Sequence, residues 1–338
     1  MKNFVFTFIT CTYNHEQFII LHLESIKYQI YNHFKGIKVA IIISDDGSSD
    51  KTVPLCKKWL EKNRGLFAEM SILGDSKNRG TCKNIVNAFK HLKTDRFFWL
   101  AGDDVYGFRS LKKVIKELSQ YELVTAPCLA FYDNYESGYH IEKDYNKYKT
   151  NISNGLCPWF MRRAFTITGC LTEAPSTVFR KELLDKEILD FVYQFKLIED
   201  QPMIYQLFKK YKIKMKYLDY TYVIYRINPN SISHTNNLII KSAAKKDLEK
   251  LCTYYFNEKN WFYKYLAWLR KQMINGNRWI AFFLPTNHFL VIRQKFFSKR
   301  IRQYYKKAII DDATRSLQYL EMIDQYAMKF LKEIEQEI

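Results

Sequence analysis

Three short polar clusters follow apolar runs in the first third of the chain, and their residue types could do chemistry. Thr12-Tyr13-Asn14 places an aromatic ring and two polar side chains behind the run Phe4 to Thr10. Ser44-Asp45-Asp46-Gly47-Ser48-Ser49-Asp50 places an acidic pair and a turn behind Val39 to Ile43. Gly102-Asp103-Asp104 places a second acidic pair behind Arg96 to Leu100. Adjacent carboxylates repel and lose hydration at the edge of a core unless a cation or several donors meet them. A Mg2+ or Mn2+ ion, held by one or two carboxylates and by substrate phosphates, answers that need. The first pair has a second reading as turn and cap chemistry, with Ser48 or Asp50 capping a helix at Thr52. The second pair, directly behind a core run, is harder to read that way. The P-loop, the G-x-G-x-x-G fingerprint, H-E-x-x-H and G-x-S-x-G are all absent from the sequence.

The elements that must position these clusters alternate. The pattern predicts strands at Phe4 to Thr10, Val39 to Ile43, Met70 to Leu73 and Arg96 to Leu100. Between and after them it predicts helices carrying Phe18, Leu21, Leu23 and Ile26, then at Thr52 to Asn63, Thr81 to Leu92 and Ser110 to Tyr121. That order predicts an α/β fold: a nucleotide-binding, mostly parallel, Rossmann-like sheet with helices on both faces. Ligands on such sheets bind at the carboxyl ends of the strands, where the three clusters lie. Further strands are expected at Leu123 to Tyr132 and Lys214 to Tyr225, and helix from Lys241 to the end. Residues 1–240 are expected to form the catalytic domain and 241–338 a helical region.

Composition bounds the rest. The chain has 338 residues, 47% hydrophobic and 26% charged, which means a globular protein with ample core. Lys and Arg total 53 against 35 acidic residues, for net +18. Such a balance suits nucleic acid, an anionic membrane or phosphorylated substrates. The abundance of Lys, Asn, Ile, Phe and Tyr also fits AT-rich coding, so the placement of the charge matters more than its sum. Twelve basic residues and no Asp or Glu fall between Lys259 and Ile310, interleaved with Trp261, Trp268, Trp279, Phe282, Phe283 and other aromatics. Basic residues among aromatics on helices mark an interfacial membrane segment. The rivals are a nucleic-acid surface, for which no recognised module is present, and a plain helical cap. The seven cysteines are odd in number and form no C-x-x-C pair, which favours a reducing cytosol over a disulfide framework. No signal peptide and no run of about 20 apolar residues is visible. The expected location is therefore cytoplasmic, peripheral on the inner face of the cell membrane.

The set Thr12-Tyr13-Asn14, Ser44 to Asp50, Asn78-Arg79-Gly80 and Gly102-Asp103-Asp104 resembles the inverting family 2 glycosyltransferases, which have the glycosyltransferase A-type fold. Ile198-Glu199-Asp200 and Tyr225-Arg226 followed by Ser231-Ile232-Ser233-His234 extend the resemblance, in family order, to about residue 240. It implies that Tyr13 stacks on the donor base, with Thr12 and Asn14 beside it. Asp46 would accept a hydrogen bond from uracil, Asp45 would support that loop, and Asp103 would face the ribose. Asp104 would bind the metal on the diphosphate, with His234 as a further ligand. Asn78, Gly80 and Lys83 would border the nucleotide, with Asn84 nearby, and Arg226, Ser231 and Ser233 would close over the diphosphate. Asp200 would be the general base, with Glu199 the next candidate and an acceptor contact, and Ser176 and Thr177 would touch the acceptor.

Two departures stand out. The metal motif is Gly-Asp-Asp rather than Asp-x-Asp, and no Gln-x-x-Arg-Trp follows Asp200, which argues against a processive synthase. The implied reaction is transfer of one sugar, a UDP-hexose being the expected donor, to a glycan acceptor that is lipid-linked. Products of that kind build lipooligosaccharide, O-antigen or capsule. One alternative is a sugar nucleotidyltransferase, but its Gly-rich Arg-Lys loop is replaced by Thr12-Tyr13-Asn14. The other is a non-enzymatic basic protein binding membrane or nucleic acid, which would not need acidic pairs at two strand ends.

Overall fold

A computed structural model describes residues 4–134, 138–142, 157–169, 172–228, 231, 235–288 and 299–336. Four parallel strands form the central sheet: β1 (Phe4–Thr12), β2 (Lys38–Asp45), β3 (Phe67–Leu73) and β4 (Phe97–Ala101). Their spatial order is β3-β2-β1-β4. Helices α1 (Ile19–His33), α2 (Thr52–Lys62) and α3 (Thr81–Lys90) supply the crossovers. The mostly parallel α/β fold expected from the alternating pattern is the fold observed. Residues 40–46 of β2 and the following turn are all buried, which explains why that strand reads as one continuous apolar run.

Because the strands are parallel and in register, their carboxyl ends share one edge. Thr12 pairs with Asp45, and Cys11 pairs with both Ser44 and Ala101. The sequence clusters after β1, β2 and β4 therefore meet there. The Asp46 N–H donates to Thr12 O at 2.9 Å, and the Gly102 N–H donates to Cys11 O at 2.8 Å.

The two long strands expected further on are each broken. Leu123 to Tyr132 splits into β6 (Leu123–Thr125) and β7 (Leu129–Asn134) around Pro127, which has no N–H for a ladder. Lys214 to Tyr225 splits into β10 (Met215–Tyr217) and β11 (Val223–Arg226). Each split moves the chain from one sheet to another. One small sheet has the order β10-β6-β9, with β9 at Thr177–Phe179. The other has the order β5-β11-β7-β8, with β5 at Val105–Tyr106 and β8 at Gly138–Glu142. The short helices α4 (Leu111–Glu117), α5 (Arg162–Thr168), α6 (Lys186–Tyr193) and α7 (Asp200–Lys210) surround these sheets.

After residue 237 come α8 (Leu238–Phe256), α9 (Trp261–Ile274), a 3-10 segment Arg278–Phe283 and the long α10 (Lys299–Glu335). Continuous helix was expected here, and the 3-10 segment interrupts it after Gly276, whose φ is +96°. These helices complete the cores of residues 1–240. Tyr319, Leu320, Ile323 and Phe330 of α10 join the core under α1, while Leu251, Tyr255, Leu266 and Leu269 join the core that holds α3 and α7. Polar ties match: Tyr319 Oη donates to Tyr106 O at 2.8 Å, and the buried Asp312 pairs with Arg109. Among the described residues, no helix is long and apolar enough to cross a membrane.

Candidate active site

A cleft of about 820 Å3 opens along the carboxyl edge of the central sheet. Its lining includes Thr12, Tyr13, Asn14, Asp46, Asp103, Asp104, Glu199, Asp200 and Ser231. Residues far apart in sequence are thus brought to one place by strand ends, by the start of α7 and by the loop after β11.

The β1 loop is pinned to the first acidic turn. Asn14 takes a left-handed φ of 51°, which Asn tolerates better than most residues. Its N–H donates to Ser48 Oγ at 2.8 Å, and its Oδ1 accepts from the Ser49 N–H at 2.9 Å. Tyr13 is left 44% exposed on the cleft rim, free to offer a ring face. Asp45 does not reach the cleft. It accepts from the Gly47 and Ser48 N–H groups at 3.0 and 2.8 Å, an Asx turn that shapes the loop. Asp46 does line the cleft and accepts from the Arg79 and Gly80 N–H groups at 2.8 and 2.9 Å. Burial raises its pKa, and those two donors oppose the rise. Gly80 is needed for that approach: a Cβ there would lie 2.5 Å from Lys196 O, and its φ is +94°.

The second pair is more deeply set. Asp104 is 2% exposed and Asp103 8%. Burial first, and then the Asp103 charge, raise the Asp104 pKa well above the carboxylate range, with Arg226 opposing. Asp104 Oδ1 accepts from the Arg226 N–H at 2.8 Å, while Arg226 Nε donates to Asp103 O at 3.0 Å. Behind them His22 is buried and its pKa is lowered to about 4, chiefly by desolvation. Its Nδ1–H donates to Asp104 O and its Nε2 accepts from Thr10 Oγ1, both at 2.8 Å, as a neutral ring would. Gly102 is held small by packing, since a Cβ would meet Ile19 Cδ1 at 2.8 Å and His15 Nδ1 at 3.0 Å.

The donor chemistry here fits a divalent cation. Two buried carboxylates face the cleft without a full set of cationic partners, and the nearby Thr12 Oγ1 and His15 Nδ1 are buried with no hydrogen bond among the described residues. No cluster of three or more His, Cys, Asp or Glu converges among those residues. A cation held by Asp103 and Asp104 would take its other oxygens from phosphates and water.

Several expected contacts are corrected by position. Ser176 and Thr177 are 0% and 1% exposed and lie behind the wall. Ser176 Oγ is committed to Ala126 O, and Thr177 Oγ1 donates to Glu173 O at 2.6 Å. The wall itself is Thr172, Glu173, Ala174 and Pro175, so the loop was found but the residues facing the cleft were not. Arg226 does not line the cleft either. It is 4% exposed, with its guanidinium between the Phe18 and Phe131 rings at 4.6 and 4.4 Å. Its charge acts from behind the acidic pair. Lys83 lies over the Tyr193 ring at 5.1 Å, away from the cleft, and Asn78 is exposed outside it. Ser233 and His234 lie outside the described residues.

Sequence reasoning missed His15, Trp99, Tyr225 and Asn228, all of which line the cleft. His15 follows the first cluster directly, and its Nε2 sits 3.9 Å from Asp103 Oδ1. Trp99 gave no signal, because its strand reads as wholly buried. Cys11 also lines the cleft, and burial raises its thiol pKa far above the usual value, so it stays neutral.

In the same cleft lining, Asp200 opens α7 and Glu199 precedes it as the N-cap. The segment leading to them is fixed by the buried Asp247 of α8, which accepts from the Lys196 and Leu197 N–H groups at 2.9 and 2.7 Å. Burial and then the Asp200 charge push the Glu199 carboxyl up from 4.5 to about 8. The folded state therefore keeps a proton that the unfolded chain has released. Stability tied to this group is full below pH 4.5 and is lost as pH rises towards about 8. The variant Glu199→Gln should match the wild-type melting temperature in acid and exceed it above pH 8. Scanning calorimetry at both ends checks this, and a pH-independent difference would reject it.

The family model for Glycosyl transferase family 2 matches residues 7–186. This chain belongs to that family. Comparison with curated proteins finds no match. Among solved structures, S. aureus TarS 1–349 in complex with UDP-GlcNAc superposes with a TM-score of 0.54 at 16% identity, covering 98% of this chain and 92% of that one. The mannosyltransferase PcManGT from Pyrobaculum calidifontis, in complex with GDP-Man and Mn2+, gives 0.53 at 15%, covering 94% and 88%. Against the longer S. aureus TarS structure this family member spans 54% of the chain. At such identities the likeness is one of fold, the glycosyltransferase A type.

Proposed function

We propose that this family 2 protein is an inverting, metal-dependent, non-processive glycosyltransferase. It moves one hexose from a UDP-sugar to a glycan acceptor that is lipid-linked, at the inner face of a bacterial membrane. The observation that carries the reading is the convergence of Tyr13, Asp46, Asp103, Asp104 and Asp200 on one cleft. UDP-GlcNAc in TarS 1–349 and GDP-Man with Mn2+ in PcManGT support a nucleotide-sugar donor and a divalent ion.

In this reading the Tyr13 ring stacks on the base. Asp46, already holding two backbone N–H groups, uses a remaining lone pair for the uracil N–H. Asp103 and Asp104 would hold Mg2+ or Mn2+, which when bound neutralises charge on the diphosphate leaving group. His15 stands beside Asp103 to meet the same end of the donor. Inversion needs a base across the sugar from the leaving group, and Asp200, which lines the same cleft, takes the acceptor hydroxyl proton.

UDP with Mn2+ or Mg2+ should raise the melting temperature, since a ligand bound only to the folded state stabilises it. Failure of UDP, GDP and dTDP alike, with metal present, would sink the nucleotide-site reading.

A further inference from the structure

The outward face of α9 has an unusual make-up. The exposed positions of that helix include Trp261, Lys264, Tyr265, Trp268 and Lys271, which fall on one stripe at i, i+3, i+4, i+7 and i+10. The opposite face buries Leu266, Ala267 and Leu269 against the protein core. A solvated helix face normally carries charged and polar residues of both signs. This one carries three aromatics, two lysines and no acid. The adjoining 3-10 segment exposes aromatics too, with Trp279 80% exposed, Phe282 68% and Phe283 66%.

The inward face of the same helix packs on α5, which precedes the Thr172 to Pro175 cleft wall in the chain. α9 lies along α5: the Arg163 guanidinium stacks on the Tyr263 ring at 4.8 Å, and Arg270 Nη1 donates to Thr168 O at 3.2 Å. Thr168 Oγ1 also bonds Thr286 Oγ1 at 3.0 Å, just past the 3-10 segment. Thr168 is four residues before Thr172, where the cleft wall begins, so the two are at most about 14 Å apart.

We propose that the α9 stripe and the Arg278–Phe283 segment form a membrane-docking face that seats the protein on an anionic bilayer. Aromatic rings at helix positions flanked by lysines suit the headgroup layer, where the rings enter and the ammonium groups meet lipid phosphates. Charge complementarity selects this occupant, because the chain from Lys259 to Ile310 holds twelve basic residues and no acidic one. The consequence for the reaction, that a lipid-linked acceptor is met at the bilayer surface, rests on the glycosyltransferase reading. The docking itself does not.

The test uses the full chain with vesicles of phosphatidylcholine alone or with phosphatidylglycerol. Sedimentation with the anionic vesicles at low salt, and release at high salt, is expected. Quenching of tryptophan fluorescence by brominated lipid should accompany it and should fall in the triple variant Trp261→Ser/Trp268→Ser/Trp279→Ser. The double variant Lys264→Glu/Lys271→Glu should bind anionic vesicles at least about tenfold more weakly, since each basic residue near the leaflet matters individually. In both variants the UDP-dependent melting shift should be unchanged, which shows an intact fold and donor site. Equal binding to neutral vesicles, binding unaffected by either variant, or none to either vesicle would overturn the proposal. So would a dimer in sedimentation velocity that the same substitutions dissolve, since the stripe would then be covered by a second copy. Vesicle binding without any UDP effect on the wild type would overturn the donor reading and leave the docking face standing.

Discussion

Replacing Asp200 by Asn is expected to cut sugar transfer by roughly 10²–10⁴ while donor affinity stays within a few-fold. The substitution keeps the shape of the side chain. Its Oδ1 still accepts the Gln201 N–H, the 2.7 Å bond that Asp200 makes at the head of α7. The segment before it remains anchored by Asp247. What disappears is the lone pair that receives the acceptor proton, so the loss belongs in kcat rather than in nucleotide binding. The neighbour supplies the control. Burial and the Asp200 charge push the Glu199 carboxyl up to about 8, so it holds its proton more tightly than an ordinary carboxyl. Glu199→Gln should therefore retain most activity. Full activity in Asp200→Asn with loss in Glu199→Gln would exchange the two roles and would make the rate rise with pH up to about 8.

The alternation of apolar runs and polar clusters made the central sheet legible, because parallel strands bury both faces and place their carboxyl ends together. Asp103 and Asp104 read as a candidate site because they follow a core strand directly, at the edge where the other clusters meet. Arg226 shows where such reading stops. A late basic residue beside two candidate diphosphate-closing serines looks like a phosphate ligand in one dimension. The fold instead threads β11 beside β7, so that Phe131 and Phe18 sandwich the guanidinium and its charge is spent on Asp103 and Asp104 from behind. Ser176 and Thr177 failed similarly, since β9 turns them into the sheet and leaves Thr172 to Pro175 on the surface. The role of Asp247 was invisible, because it acts only through backbone N–H groups fifty residues earlier. Pairings between distant segments decide these details, and local pattern carries no information about them.

Asp104→Asn should abolish the metal-dependent part of UDP stabilisation and leave the metal-independent part. Asp104 Oδ1 accepts one backbone N–H, from Arg226, and an Asn side chain at that position can still accept it, so the β11 junction should hold. Removing the charge relieves a buried carboxylate but leaves the buried Arg226 with less counter-charge, so the ligand-free melting temperature should change little. With Mn2+ and UDP the difference is large. The divalent ion loses one of its two protein carboxylates, and the affinity for UDP in the presence of metal should fall at least about 100-fold, about 2.7 kcal/mol. Stacking on Tyr13 and the contact with Asp46 do not involve the ion, so weak binding of UDP in the presence of a chelator should be the same in both proteins. Mn2+ titration followed by electron paramagnetic resonance, together with melting curves with and without UDP, reads both halves. A Mn2+-dependent shift that survives in Asp104→Asn but vanishes in Asp103→Asn would move the principal ligand to Asp103. Survival in both variants would remove the acidic pair from the metal site altogether.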